Sequence, residues 1–168
     1  MPSLILFRHA KSDWDADSEN DLARPLSGRG RRGARTMGRF LADAGQIPDL
    51  VLSSPAERAL RTIRIAMDAG GWNRTVTTRE SLYGGVSDLL EEIQAQPAKA
   101  DVLLVVGHEP TWSQTAEILI GGGHVRMPTG AIARIELESV SWADVEPGCG
   151  ELAWLVHPRL FTSEASGP

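Results

Sequence analysis

The sequence predicts a single-domain α/β layered sandwich, with a mostly parallel central sheet and helices on both faces. Three observations predict it. Short apolar runs at Leu4 to Phe7, Asp49 to Leu52 and Val102 to Val106 alternate with stretches whose apolar residues recur at helical spacing, the signature of strand–helix–strand units. The first and last of these runs are continuously apolar, as befits parallel strands buried on both faces. Each run is followed closely by basic residues: Arg8-His9, Arg58 and His108. In open α/β sheets, ligands gather at the carboxyl ends of the strands.

The elements follow in order. After the strand at Leu4, the residues Gly33, Ala34, Met37, Leu41 and Ala44 lie at helical spacing. Ser27 is placed to cap that helix or its lead-in turn, and Gly45 to stop it. The run from Asp49 to Leu52 is the second strand, and Pro55 suits the first turn of the next helix. Ala56, Ala59, Leu60, Ile63, Ala66 and Met67 form its apolar stripe, which ends at Gly70-Gly71. Thr75 to Thr78 reads as a third strand, since Thr favours the extended state. Val86, Leu89, Leu90 and Ile93 mark a helix before the strand at Val102. Thr111 to Ile120 is a helix with Trp112, Ala116, Leu119 and Ile120 on one face, broken by Gly121-Gly122-Gly123. Ile132 to Leu137 and Leu152 to Val156 read as strands, and the turn-rich stretch between them predicts a hairpin. The domain is expected to span residues 1–162, with a small polar tail, 163–168, that frays.

Composition narrows the function classes. Lys and Arg number 17 against 22 Asp and Glu, a net charge of −5, which argues against a nucleic-acid-binding stripe. No apolar stretch is long enough to span a bilayer, and the N-terminus lacks the basic start and long apolar middle of a signal peptide. Cys149 is the only cysteine, so no intrachain disulfide can form. These features together read as a cytoplasmic protein. The composition does not set the oligomeric state.

The basic residues at the strand ends make the inventory of a phosphate site. Arginine grips phosphate oxygens as a bidentate fork, and a neutral histidine can attack phosphorus. If the three strands are parallel neighbours, Arg8, His9, Arg58 and His108 converge. Arg8 and Arg58 would then hold the phosphoryl oxygens and His9 would attack in line. His108 would donate a hydrogen bond if protonated. His9 must present one tautomer, which a carbonyl accepting from its other ring nitrogen would enforce. The stretch Gly28-Arg29-Gly30-Arg31-Arg32-Gly33 matches GxGxxG literally but does not follow a strand, as a dinucleotide site requires. Arg29, Arg31, Arg32 and Arg35 read as a solvated helix face or a surface for an acidic protein partner. His124 and His157 are not at metal-ligand spacing, so no metal is expected. The five tryptophans read as core and surface-anchoring residues.

Arg8-His9-Ala10 resembles the Arg-His-Gly signature of the histidine phosphatase superfamily, which includes the cofactor-dependent phosphoglycerate mutases. The stretch from Arg8 to Asp15 follows that family's early segment. Ser53-Ser54-Pro55 with Arg58, Ala59 and Thr62 resembles its second arginine motif, and Val106-Gly107-His108-Glu109-Pro110 its second histidine motif. The short length, Arg24-Pro25-Leu26-Ser27 and Met127-Pro128-Thr129-Gly130-Ala131 are similar to the SixA-type phosphohistidine phosphatases. The resemblance implies a phosphoglycerate mutase-like fold and a metal-independent phosphatase without cofactor. His9 would be the phosphoacceptor, with Arg8, Arg58 and His108 completing the pocket. Ser12 and Asp15 fall at family positions near the phosphate. The implied substrate is a phosphohistidine on another protein. The alternatives are a small phosphomonoester, such as a sugar phosphate, and a phosphate- or protein-binding module without turnover.

The sequence departs from the family in three places. Ala10 replaces the usual Gly, and Asp15 stands where many members carry Asn, so an anion there would repel phosphate. The insertion in which larger relatives carry a general acid is absent. Glu80 is the stand-in for that acid, or else an exposed strand-end carboxylate; Asp13 and Asp21 rank below it.

Overall fold

The structure is a computed structural model that describes residues 1–138 and 141–162. The tail expected to fray, 163–168, lies outside the described residues. Six strands form one sheet: β1 (Ser3–Arg8), β2 (Leu50–Ser53), β3 (Val76–Thr78), β4 (Val102–Gly107), β5 (Ile132–Leu137) and β6 (Gly150–Val156). Their order is β3-β2-β4-β1-β5-β6. The four strands from β3 to β1 are parallel. β5 joins β1 antiparallel, and β6 pairs with β5 as the expected hairpin. The sheet is thus mostly parallel, as the apolar runs foretold.

Strand alternation sorts the core into two layers. Leu4 and Leu6 of β1, with Leu103 and Val105 of β4, pack under α3 (Val86–Gln94) and α4 (Thr111–Leu119) through Leu89, Ile93, Trp112 and Ala116. Ile5, Phe7, Leu104 and Val106 face the other way. They meet α1 (Gly28–Asp43) and α2 (Glu57–Gly70) through Met37, Leu41, Ile63 and Ala66. A one-residue slip of β1 or β4 would exchange the two layers, so each strand is locked in register.

The helix ends follow their local chemistry. Ser27 caps α1, its side chain accepting from the Gly30 N–H. α2 ends at Gly71 in the left-handed conformation, φ 69°. Pro55 stands before α2 rather than in its first turn. The Ser54 hydroxyl takes the Ala56 N–H at 3.2 Å, which holds Ala56 extended and delays the helix to Glu57. Trp112 and Trp142 are fully buried. Their indole N–H groups donate to the carbonyls of Val105 and Ala100, as buried indoles must.

Two glycines of the GxGxxG stretch, Gly30 and Gly33, serve packing. A Cβ on Gly30 would stand 2.0 Å from the Lys11 carbonyl oxygen, and one on Gly33 would stand 3.2 Å from Pro158. Farther along α1, Gly38 lets α1 lie against the α2 backbone: a Cβ there would sit 2.0 Å from the Ala66 oxygen. Backbone cannot yield as a side-chain tip does. Gly38→Ala is therefore expected to cost about 1–3 kcal/mol of stability, the usual range for overpacking, measured by urea denaturation. Unchanged stability would mean that α1 and α2 are not held this close.

Candidate active site

The sheet order brings the site together. β4 lies between β1 and β2, parallel to both, with Arg8 opposite Gly107 and Ser53 opposite Val106. The ladder continues past the strand ends: the His9 N–H donates to the Gly107 carbonyl at 2.9 Å and the Ser54 N–H to Val106 at 3.0 Å. Arg8-His9, Ser53-Ser54 and Gly107-His108 therefore leave the sheet side by side, and α2 brings Arg58 over them. Gly107 has no room for a side chain, because a Cβ would stand 2.1 Å from the Trp112 ring, which packs there beneath His108. Thr62 ties the layers: its hydroxyl accepts from the Ala10 N–H at 3.0 Å and donates to the Arg58 carbonyl at 2.6 Å.

His9 is presented as one tautomer. Its Nδ1 lies 2.8 Å from the Ala10 carbonyl oxygen, which can only accept, so Nδ1 carries the proton and Nε2 the lone pair. The residue is buried, 8% exposed. Burial, reinforced by the charges of Arg58 and Arg8, pushes its pKa down to about 3. The ring is therefore neutral at physiological pH.

His108 stands beside it, ring centroids 5.2 Å apart. Its Nδ1 lies 3.4 Å from an Arg58 nitrogen and its Nε2 2.7 Å from the Ser54 hydroxyl. A guanidinium cannot accept, so Nδ1 is the acceptor and Nε2 carries the proton toward Ser54. Burial, then the adjacent Arg58 charge, lowers its pKa to about 4. The sequence makes His108 a donor if protonated; at its lowered pKa it is neutral at physiological pH. A phosphate dianion would favour the protonated form.

The arginines are buried and aligned. Arg58 is 5% and Arg24 7% exposed. Arg58 donates to the backbone and the carboxylate of Asp21 at 2.7 and 3.0 Å. Arg24 donates to the same carboxylate at 2.9 Å and to the Ser12 hydroxyl. Arg8 donates to the Met127 carbonyl at 2.9 Å. The Nε atoms of Arg8, Arg24 and Arg58 are all buried without a protein partner, a costly state that suits a pocket for an oxyanion. Asp21 also accepts from the Tyr83 hydroxyl. That bond, with Arg24 and Arg58, holds its carboxyl well below the usual range. Asp21 is thus an anion that positions Arg58, a charge state that disfavours the proton-donor role for which the sequence ranked it below Glu80.

The structure thus brings together Arg8, His9, Arg58 and His108. Ser12 is buried, held by Arg24 through its hydroxyl and by a bridge to Leu26. Asp15 is exposed, and its backbone N–H bonds to Asp13; its carboxylate makes no hydrogen bond or ion pair with the four. Glu80 is exposed at the start of the 3-10 turn Glu80–Tyr83. That turn delivers Tyr83, whose ring lies 5.3 Å from His108, while Glu80 itself makes no hydrogen bond or ion pair with the pocket.

Arg24 and Tyr83 escaped the sequence reading as pocket residues. Arg24 lies in a polar stretch without periodicity, although its i,i+3 spacing from Asp21 was a legible ion-pair signal. Tyr83 had no such signal. Among the described residues, no group of three or more His, Cys, Asp or Glu is placed to hold a metal, and no helix is long and apolar enough to cross a membrane.

Comparison with known proteins agrees with this geometry. Residues 4–84 match the model of the histidine phosphatase superfamily, branch 1. An uncharacterised protein of Mycobacterium tuberculosis, Rv1276c, is 37% identical over 163 residues, covering 90% of this chain and 99% of that protein. A 2,3-bisphosphoglycerate-dependent phosphoglycerate mutase of Thermobifida fusca is 41% identical over 93 residues, spanning 51% of this chain and 38% of the mutase. Among solved structures, the chain assigned as phosphohistidine phosphatase SixA from Nakamurella multipartitia superposes with a TM-score of 0.78 at 31% identity, covering 94% of this chain and 96% of that one. The three strand-end motifs, the sheet that gathers them and these relatives lead to one conclusion: the chain belongs to the histidine phosphatase superfamily and is SixA-like within it.

Proposed function

We propose that the protein is a metal-independent phosphatase that removes the phosphoryl group from a phosphohistidine on another protein. The observation that carries the chemistry is the fixed neutral tautomer of His9, with a lone pair on Nε2, beside the guanidiniums of Arg8 and Arg58. A module that only bound phosphate would have no need of such a nucleophile. In the first step Nε2 of His9 forms a bond to phosphorus as the substrate P–N bond breaks. The guanidiniums hold the phosphoryl oxygens and meet the charge without a metal. In the second step water attacks the phosphohistidine of the enzyme, releasing inorganic phosphate and restoring His9. Asp21 keeps Arg58 in place, and Ser12 does the same for Arg24. Glu80 is the proton donor to the leaving group in this reading: it stands next to the carboxyl end of β3 without a partner to occupy it.

The substrate class rests on the short connections. Between β3 and α3 the chain supplies only the turn Glu80–Tyr83, so that connection contributes no lid segment. An uncovered site draws little binding energy from the remote parts of a small substrate, yet admits a phosphorylated side chain projecting from a folded protein. The likeness to the Nakamurella SixA chain points the same way. A phosphohistidine can also carry a proton on its second ring nitrogen and leave as neutral imidazole, so it depends less on an acid than a sugar alkoxide does.

Three outcomes are expected. His9→Ala loses turnover, and the wild type quenched with labelled substrate carries acid-labile, base-stable label on His9. Label on another residue would overturn the mechanism. Second, nitrogen-15 NMR of the free protein should show both rings neutral at pH 5, His9 protonated on Nδ1 and His108 on Nε2. Between pH 6.5 and 4 the unfolded chain takes up protons that the folded rings refuse, so stability should fall as pH falls through that window. Rings that titrate near pH 6.5 would contradict this. Third, with EDTA present throughout, kcat/KM for a phosphohistidine protein should exceed that for sugar phosphates, and Glu80→Gln should harm the sugar phosphates more. Efficient hydrolysis of a sugar phosphate, with none of phosphohistidine, would favour the small-molecule reading.

A further inference from the structure

A concavity of about 720 Å³ shares Arg8 with the candidate active site. Its wall contains Arg8 and Ala10, so it adjoins the segment that carries His9. Lys11, Arg29, Arg126 and Arg159 also line it, and among the described residues no Asp or Glu does. These four side chains are exposed and form no ion pair among the described residues. Such a concentration of one sign is notable in a chain whose net charge is −5. The hollow is also built into the fold. Pro158 forms part of it and lies against two glycines, where a Cβ would stand 3.2 Å (Gly33) or 2.9 Å (Gly130) from the proline ring. The Nδ1 of His157, in the same wall, is buried without a partner. Gly30, another wall residue, sits against the Lys11 backbone, so α1 carries Arg29 to the rim.

We infer that this cavity is a second anion subsite, which holds a further negatively charged group of the substrate while its phosphoryl group lies against His9. The inference rests on the phosphatase reading but not on the choice of phosphohistidine. Carboxylates flanking a phosphorylated side chain and a second phosphate on a small molecule share the chemistry required. Clustered cations without carboxylates raise the local concentration of such groups and discriminate against substrates that lack them. The volume is that of a small-molecule site, large enough for an acidic side-chain pair or a phosphorylated carbon.

The test uses the His9→Ala protein, which holds substrates without consuming them, and reads dissociation constants by calorimetry. Two ligand pairs are compared: a phosphohistidine peptide with acidic flanks against one with neutral flanks, and fructose 1,6-bisphosphate against fructose 6-phosphate. At low salt the more anionic member of at least one pair should bind roughly tenfold more tightly, the scale of two exposed charge pairs. Added salt should shrink the difference. Arg126→Gln with Arg159→Gln should abolish it. Arg35→Gln with Arg39→Gln removes the same charge from residues of α1 that do not line this cavity, and should preserve it. Selectivity in the peptide pair assigns the subsite to protein substrates; selectivity in the sugar pair alone assigns it to small molecules. Equal binding within both pairs, or selectivity lost equally in both double variants, overturns the subsite. Wild-type turnover of phosphohistidine is measured separately, so the phosphohistidine reading can fail while the subsite stands, and the reverse.

Discussion

The placement of β4 between β1 and β2, parallel to both, is the constraint on which the site depends. Parallel strands end together, and here three adjacent ends deliver Arg8-His9, His108 and Ser54 to one edge of the sheet. The core fixes their heights, because Leu4, Leu6, Leu103 and Val105 must face one helix layer and Ile5, Phe7, Leu104 and Val106 the other. A change of register would expel apolar side chains from both layers before it moved a histidine. The geometry of these strand-end side chains is therefore guarded by the burial of the core residues beneath them.

The second organising fact is how the fold tolerates so much positive charge at one spot. Burying a guanidinium is costly unless it is paired. Asp21 serves two arginines at once, and Glu109 adds a favourable field at Arg8. Both histidines meet the same pressure by shedding their protons. That response is useful: a histidine that gives up its charge among arginines gains the lone pair needed to attack phosphorus. The electrostatics that make the pocket unfavourable for cations would thus prepare His9 for the proposed attack on phosphorus.

The local chemistry also separates the two faces of the site. Toward Asp21, Tyr83 and Trp14, the arginines are satisfied by a carboxylate, and Arg24 lies 3.5 Å from the centroid of the Trp14 ring. Toward Lys11, Arg126 and Arg159, no carboxylate among the described residues lines the cavity. Charge that is balanced on one side of His9 and unbalanced on the other gives the pocket a direction, which the proposed second subsite uses.

Much of this was legible in the sequence. Continuous apolar runs at Leu4 and Val102 identified buried parallel strands, and helical spacing from Gly33 and Ala56 identified α1 and α2, because burial acts on every turn and leaves a period. Arg8, His9, Arg58 and His108 were visible because each follows a strand, and strand ends are where a parallel sheet exposes its chemistry. Arg24, Tyr83 and the role of Asp21 were not visible. They come from short turns, Asp21–Ala23 and Glu80–Tyr83, which leave no period to read. The tautomers of His9 and His108 were equally out of reach. They depend on the Ala10 carbonyl and on Arg58, and whether a ring nitrogen faces an acceptor or a donor is decided by contacts across the fold. The sequence by itself determined the layers and which four side chains stand after strands; that they converge followed once the structure made those strands parallel neighbours. Only the tertiary structure decided protonation and charge pairing, because those depend on distances of a few ångströms between residues far apart along the chain.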